Sequence, residues 1–379
     1  MSARTVRVRT GLRPTRLEVD LAAVRHNVAT LAATAEVEVC AVVKADGYGH
    51  GAVRIAQAAV EAGASWLAVA LVEEGIELRE AGVEAPILVL SEPPVAAVPE
   101  LLAARLTPTV YRGPFLAVLD AAGHGRAAPV PVHLKIDTGM ARVGVPPAEL
   151  TQRLEQLRAS HWLRLDGLYT HLARADEPQV STTAEQLAAF DAACEQAAGL
   201  GLRPTWRHAA NTAGALLHPH SRYELIRPGI GVYGLSPAAE VDAYDHGLRP
   251  ALRLVSEVAH VKRVPAATPV SYGHRWRAPD NGWLATVPIG YADGVSRALT
   301  NRAQVLHRGR RRPVVGAVTM DQLLVWCGDD EPGVGDEVVL LGEQGSERIR
   351  VEEWAAAADT ITYEIVTRLS ARLPRLYTG

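Results

Sequence analysis

Lysine is nearly missing from this chain. Of its 39 basic residues only Lys44, Lys135 and Lys262 are lysines; the rest are arginines. Codon bias in a GC-rich genome accounts for an excess of arginine and alanine. It leaves lysine most readily where arginine cannot do the job. An arginine stays protonated, whereas a lysine can lose its proton, attack a carbonyl and form an imine. Each lysine is therefore a candidate for chemistry. Cysteine is scarce too: Cys40, Cys194 and Cys327 are scattered without metal or redox spacing and read as buried free thiols. A surplus of one charge is also missing. With 42 acidic against 39 basic residues the formal charge is −3, which argues against a nucleic-acid partner. No apolar run is long enough to cross a bilayer, so no membrane partner is expected. The start, MSARTVRVRTGLRPTR, lacks the apolar stretch of a secretory signal, so the expected location is the cytoplasm. What remains is ordinary globular material, 48% hydrophobic and 21% charged over 379 residues, enough for about two domains.

The texture divides the chain. From about Leu17 to Gly234, short β-branched runs alternate with Ala-rich amphipathic stretches. The strand candidates are VEVCAVVK, SWLAVAL, PILVLS, LTPTVY, VPVHLKID, LRLDGLYTHL, TWRHAAN and ELIRPG. Regular strand–helix alternation implies a parallel sheet. Eight such units fit a closed (β/α)8 barrel, and no G-x-G-x-x-G turn follows the first strand to suggest a dinucleotide fold. After about Ala243, strands such as ALRLVSEVAHVKRV and RPVVGAVTMDQLLVWC are separated by Gly, Pro, Asp and Asn turns. The helical WAAAADTITYEIVTRLSARL closes the chain. The expected organisation is a barrel over 1–242, its first 15 or so residues packing with the second domain, then a mostly β domain over 243–379. The arginine run HRGRRRPVV reads as a solvated hairpin.

In such a barrel, chemistry sits at the C-terminal ends of the strands. Lys44 ends the apolar strand VEVCAVV and is followed by the loop ADGYGHG. A strand-ending lysine commonly snorkels or pairs. Desolvation at a barrel mouth would instead lower its pKa and free the amine for imine formation.

The segment AVVKADGYGHG resembles the pyridoxal-phosphate site of the alanine racemase family, in which the lysine carries the cofactor. The resemblance continues in family order through HLKIDTGMARVG, YTHLARAD, RHAANTAG, RPGIGVYG, VSYGHRW, IGYADGVSR, VTMDQ and TITYEI. It implies a barrel followed by a β domain, and a homodimer with composite sites that interconverts L- and D-alanine for peptidoglycan. Inverting a stereocentre needs a base on each face and an electron sink. Lys44 is one base. By resemblance Tyr272, from the partner subunit, is the other, although on its own it reads as a core or interface tyrosine. A phenol of ordinary pKa, about 10, is a poor base at neutral pH. The family supplies a histidine–arginine relay, matched here by His171 and Arg227.

The resemblance sets Arg227 against the cofactor's ring nitrogen. It spreads phosphate binding over Tyr48, Thr212, Gly229, Ile230 and Tyr363, with Asn211 and His171 beside the cofactor. Thr212 departs mildly from the usual serine but keeps the hydroxyl. Arg142 suits a substrate carboxylate, since a guanidinium grips it through two hydrogen bonds. The Met320 amide, Tyr291 and Asp321 are implied to come from the partner. Lys135 matches a lysine that is carbamylated in some relatives; a plain ion pair is the other reading. His50 and His208 read as structural, and no metal is expected. Alternatives are a broad-specificity racemase, or a non-catalytic cofactor-homeostasis barrel, which usually lacks the β domain. A related decarboxylase would need a different phosphate loop and a cysteine motif, and neither is present.

Overall fold

A computed structural model describes residues 12–379. It resolves into two units: residues 24–249, and residues 250–379 joined by the described part of residues 1–23. The expected packing of the extreme N-terminus falls largely on residues 1–11, outside the described residues. The strand Arg16–Asp20, just beyond them, belongs to the second unit's main sheet.

The first unit is a nearly closed barrel of eight parallel strands. In chain order these are β1 (Glu38–Val42), β2 (Trp66–Val69), β3 (Ile87–Val89), β4 (Thr107–Val110), β5 (Val130–Lys135), β6 (Leu163–Tyr169), β7 (Trp206–His208) and β8 (Leu225–Ile226). From β1 to β7 each pairs with the next, and β8 returns to pair with β1. The seam between β7 and β8 is bridged by Glu224 N–H to Arg207 O and Arg227 N–H to Ala210 O. Strands β2 and β3 are buried on both faces, which is why they read as continuous apolar runs rather than alternating ones. The connecting helices supply the outer cover. Helix Ala52–Glu61, for instance, buries Ala52, Ile55, Ala56 and Ala59, the spacing of one helical face.

The second unit is built from antiparallel sheet with a few helices. Two of its long apolar runs fold differently from a simple reading. ALRLVSEVAHVKRV is not one strand: Leu252–Glu257 lies in the main sheet and His260–Val264 in a three-stranded one. The corner between them is fixed by Val258 N–H to Asp336 O and Ala259 N–H to Thr286 O. The closing helix is likewise interrupted at Asp359 (φ 55°), leaving Val351–Ala358 and Thr362–Thr367. A last strand, Arg375–Thr378, then pairs in parallel with Arg16–Asp20. A compact apolar cluster of Val264, Val270, Ala278, Leu284 and Val315, flanked by Trp276 and Trp326, backs the turn that carries Tyr272.

Candidate active site

Lys44 sits where β1 gives way to the turn Lys44–Tyr48. Ala45, Asp46, Gly47 and Tyr48 all have positive φ, a left-handed stretch that costs roughly 1–2 kcal/mol for each non-glycine residue. The surroundings hold it. Ala45 N–H donates to Glu74 Oε1 (2.7 Å), Ala52 N–H to Asp46 Oδ1 (3.0 Å) and Gly51 N–H to Asp46 O (2.8 Å). The result is a half-buried amine at the barrel mouth. Burial first, then the positive charge of Arg142, lower its pKa, while Glu74 opposes them.

Four cationic groups share this mouth. Lys135, at the end of β5 and buried, is pushed down to about 7 by burial, then by Arg227 and Arg142. Asp137 opposes, but its Oδ1 already accepts the N–H groups of Gly139, Met140 and Ala141. Arg142 is exposed and has no ion pair among the described residues. Concentrated positive charge with little compensating acid suits an anionic ligand.

Arg227 is the buried centre. Its Nη1 donates to His208 Nδ1 (2.7 Å), and its Nη2 to Thr170 O (2.8 Å), Ala209 O (3.1 Å) and His171 Nδ1 (3.4 Å). No acceptor among the described residues meets its Nε. A guanidinium can only donate, so each histidine nitrogen it touches must accept. His208 therefore carries its proton on Nε2, which donates to His133 Nδ1 (2.9 Å). His133 in turn keeps its proton on Nε2, buried without a partner among the described residues. His171 likewise carries its proton on Nε2. Burial and then Arg227 hold His208 and His171 well below the ordinary range, and His133 is pushed down to about 3. One arginine thus sets three neutral imidazoles.

Packing supports the chain of hydrogen bonds. The Tyr169 ring stacks on His208 at 4.7 Å, with Arg227 Cζ 5.0 Å and Lys135 Nζ 5.5 Å from its centroid. Its hydroxyl donates to Leu90 O and pairs with Thr109 Oγ1. Gly167 leaves room for His133, since a Cβ there would lie 2.4 Å from the imidazole. His133 and Tyr169 carried no functional expectation, yet a signal exists. In a strand, residues two apart share a face, so His133 must look the same way as Lys135.

An anion cradle lies nearby. Thr212 Oγ1 accepts from Gly229 N–H (3.1 Å) and Gly231 N–H (3.2 Å), and Asn211 caps the helix Thr212–Leu217 by accepting from Gly214 N–H. Tyr48 reaches the same place; a Cβ on Gly229 would fall 2.4 Å from its hydroxyl. Ile230 opens the short helix Ile230–Tyr233 beside them. Backbone amides around such a glycine accept close approach by a phosphate. His50, expected to be structural, gives its Nδ1 to the carbonyls of Gly47 and Tyr48.

The remaining site candidates lie in the second unit. Tyr272, Tyr291 and Met320 are 75%, 42% and 52% exposed, among the most exposed large apolar residues described. Asp321 pairs with Arg372 (2.8 Å), and Tyr363 sits on the helix Thr362–Thr367. No group of described residues could hold a metal ion.

Residues 19–237 match the family "Alanine racemase, N-terminal domain" and residues 251–377 match "Alanine racemase, C-terminal domain". The alanine racemase of Symbiobacterium thermophilum is 48% identical over 97% of this chain and 98% of that relative. The alanine racemase structure from D-cycloserine-producing Streptomyces lavendulae is 40% identical, with a TM-score of 0.94 over 98% of each chain. A histidine racemase from Leuconostoc mesenteroides shares the fold at 26% identity and a TM-score of 0.89, over 98% of this chain and 100% of that one.

Proposed function

The chain belongs to the alanine racemase family, and on that premise we propose which of its side chains do the work. It interconverts L- and D-alanine and takes pyridoxal 5'-phosphate as its cofactor. In this family the D-enantiomer serves peptidoglycan synthesis.

The residues present fit that cofactor. The hydroxyls of Thr212 and Tyr48, both close to Gly229, would hold a phosphate, and Gly229, Ile230, Asn211 and Tyr363 complete the proposed set. Lys44 Nζ would hold the aldehyde carbon, and the free Nε–H of Arg227 would face the ring nitrogen. The bound cofactor supplies an electron-withdrawing ring that acidifies the substrate's α-proton.

The chain's own groups then divide the labour. Lys44, whose pKa is lowered by burial, exchanges a proton on one face. The partner subunit's Tyr272 does so on the other. Its phenolate needs a donor, and His171 offers Nε2–H because Arg227 occupies Nδ1. Arg142, free of ion pairs among the described residues, binds the substrate carboxylate, assisted by the partner subunit's Met320 amide. The partner subunit's Tyr291 and Asp321 line the approach and favour a small side chain. Carbamylated Lys135 would add the negative charge that the mouth lacks beside Arg142. A lysine with a pKa of about 7 has the neutral amine that carbamylation requires.

A homodimer with two composite sites is supported by the exposure of Tyr272, Tyr291 and Met320 in the single chain. A cytoplasmic location is supported by three free cysteines. The observation that carries the catalytic reading is the half-buried Lys44 amine beside an unpaired Arg142. Mixing tests it. Lys44→Arg and Tyr272→Phe proteins should each be inactive, and subunit exchange between them should restore alanine racemisation, because a mixed dimer contains one intact site. No recovery on demonstrated exchange, or an active single variant, overturns the arrangement. Since the fold also serves a histidine racemase, the same assay on L-serine and L-histidine measures how strictly alanine is selected.

A further inference from the structure

The turn that presents Tyr272 is strained. Ser271 has φ 61° and ψ −174°, a region open essentially only to glycine. Gly273 (φ 71°) and His274 (φ 47°) follow it in the left-handed region. A non-glycine residue persists there only if its surroundings over-determine it. Here they do.

Ser271 Oγ donates to Ala317 O (2.8 Å), which ties the turn to the segment leading into Met320. The two backbones approach so closely that a Cβ on Gly316 would lie 2.7 Å from Ser271 Cβ. Asn301, itself at φ 58°, bridges the same two segments. Its Oδ1 accepts from Gly316 N–H (2.6 Å) while its Nδ2 donates to Arg275 O (3.3 Å), just past the Tyr272 turn. Thr300 Oγ1 adds a bond from Val318 N–H (3.2 Å). On the far side of the Met320 loop, Tyr291 N–H donates to Thr319 O (2.9 Å) and Ala292 N–H to Met320 O (3.0 Å). Three exposed residues from three separate stretches of sequence are thereby fixed to one another within this unit.

We propose that Ser271 and Asn301 are positioning residues for Tyr272: together they lock its turn to the Met320 loop, so that phenol and amide are presented as one pre-set piece. This rests on the reading of Tyr272 as the second proton-transferring group. The strain at Ser271 is the cost of aiming the following side chain away from the sheet, and the Asn301 bridge keeps the turn from relaxing. Misplacing a reacting group by about 1 Å costs on the order of 100-fold in rate.

The test uses the cofactor-loaded enzyme with Asn301→Ala, Ser271→Ala and Ser271→Gly, and Tyr272→Phe as reference. Rates are measured from both enantiomers, with and without α-deuterium. Asn301→Ala and Ser271→Gly are expected to lower kcat by roughly 10- to 100-fold while the bound cofactor's absorbance stays unchanged. They should raise the α-deuterium isotope effect with one enantiomer and lower it with the other, because only one of the two proton transfers is slowed. Ser271→Gly should melt at or above Ser271→Ala, since glycine accepts the strained conformation, yet be no more active. A purely structural role would instead make activity follow melting temperature and leave the isotope effects symmetric; that result overturns the proposal. Parental rates in both Asn301→Ala and Ser271→Gly also overturn it. If Tyr272→Phe itself racemises at the parental rate, the reading of Tyr272 falls. If Tyr272→Phe is inactive and the positioning variants are not impaired, the positioning role alone falls.

Discussion

The barrel mouth and the Tyr272–Met320 platform solve opposite problems. At the mouth, Arg227, His208 and His133 are buried, and hydrogen bonds to one guanidinium dictate which nitrogen of each imidazole carries a proton. The protonation pattern is written into the chain. On the platform the backbone is locked but the side chains it carries stand in solvent, with Tyr272 75% exposed. Geometry is determined there and environment is not. One region has its hydrogen-bond partners within the single chain; the other is a locked backbone whose side chains are exposed.

That contrast can be broken at its buried end. Gly167→Ala forces a methyl group against the His133 imidazole, and overpacking of this kind costs about 1–3 kcal/mol. The expected outcome is a lowered melting temperature together with loss of the fixed His208 tautomer, read by 15N NMR of the imidazoles. An unchanged NMR pattern would mean that the network tolerates displacement and is not the rigid side of the comparison.

A second effect comes from pH. The folded pKa of Lys135 is about 7, below the ordinary lysine value of about 10.4. Between the two, the unfolded chain binds a proton that the folded chain does not, so stability rises with pH across that window and is lost as pH falls toward 7. Thermal melts of cofactor-free protein in CO2-free buffer should show the rise. Lys135→Met should flatten it. Added bicarbonate, if it carbamylates the amine, should raise stability and carry the rise below pH 7, because the carbamate still holds one proton fewer than the unfolded ammonium; that outcome sharpens the account of the mouth as short of negative charge.

The smallest effect is expected at the third lysine. Lys262 lies exposed on the strand His260–Val264. Lys262→Arg should change stability by less than about 0.5 kcal/mol and leave racemisation alone, in chemical melts and the chiral assay. Set beside the loss of activity expected of Lys44→Arg, this pair separates a lysine needed for its amine from one that is only a surface charge.

Much of this was legible in one dimension. The first strands show as apolar runs because they are buried on both faces, and Lys44 stands out where such a run ends. The corner at Val258–Ala259 was not legible, because an apolar alternation continues through it and only the bonds to Asp336 and Thr286 turn the chain. The final strand was missed for a related reason. Four residues, Arg375–Thr378, carry little pattern of their own and are strand only because Arg16–Asp20 lies alongside.

The sequence by itself determined the class of chemistry: an amine at a strand end, glycine-flanked loops for a phosphate, and motifs in one family's order. These are local properties, set by residue type and spacing. Tertiary structure decided which groups answer to one another. Arg227 reaches His208, Thr170 and His171 only because β6, β7 and β8 stand side by side, and Asn301 can bridge Arg275 and Gly316 only after the sheets have formed. Proton positions and backbone strain depend on such long-range contacts, since a hydrogen bond's direction exists only once both partners are in place.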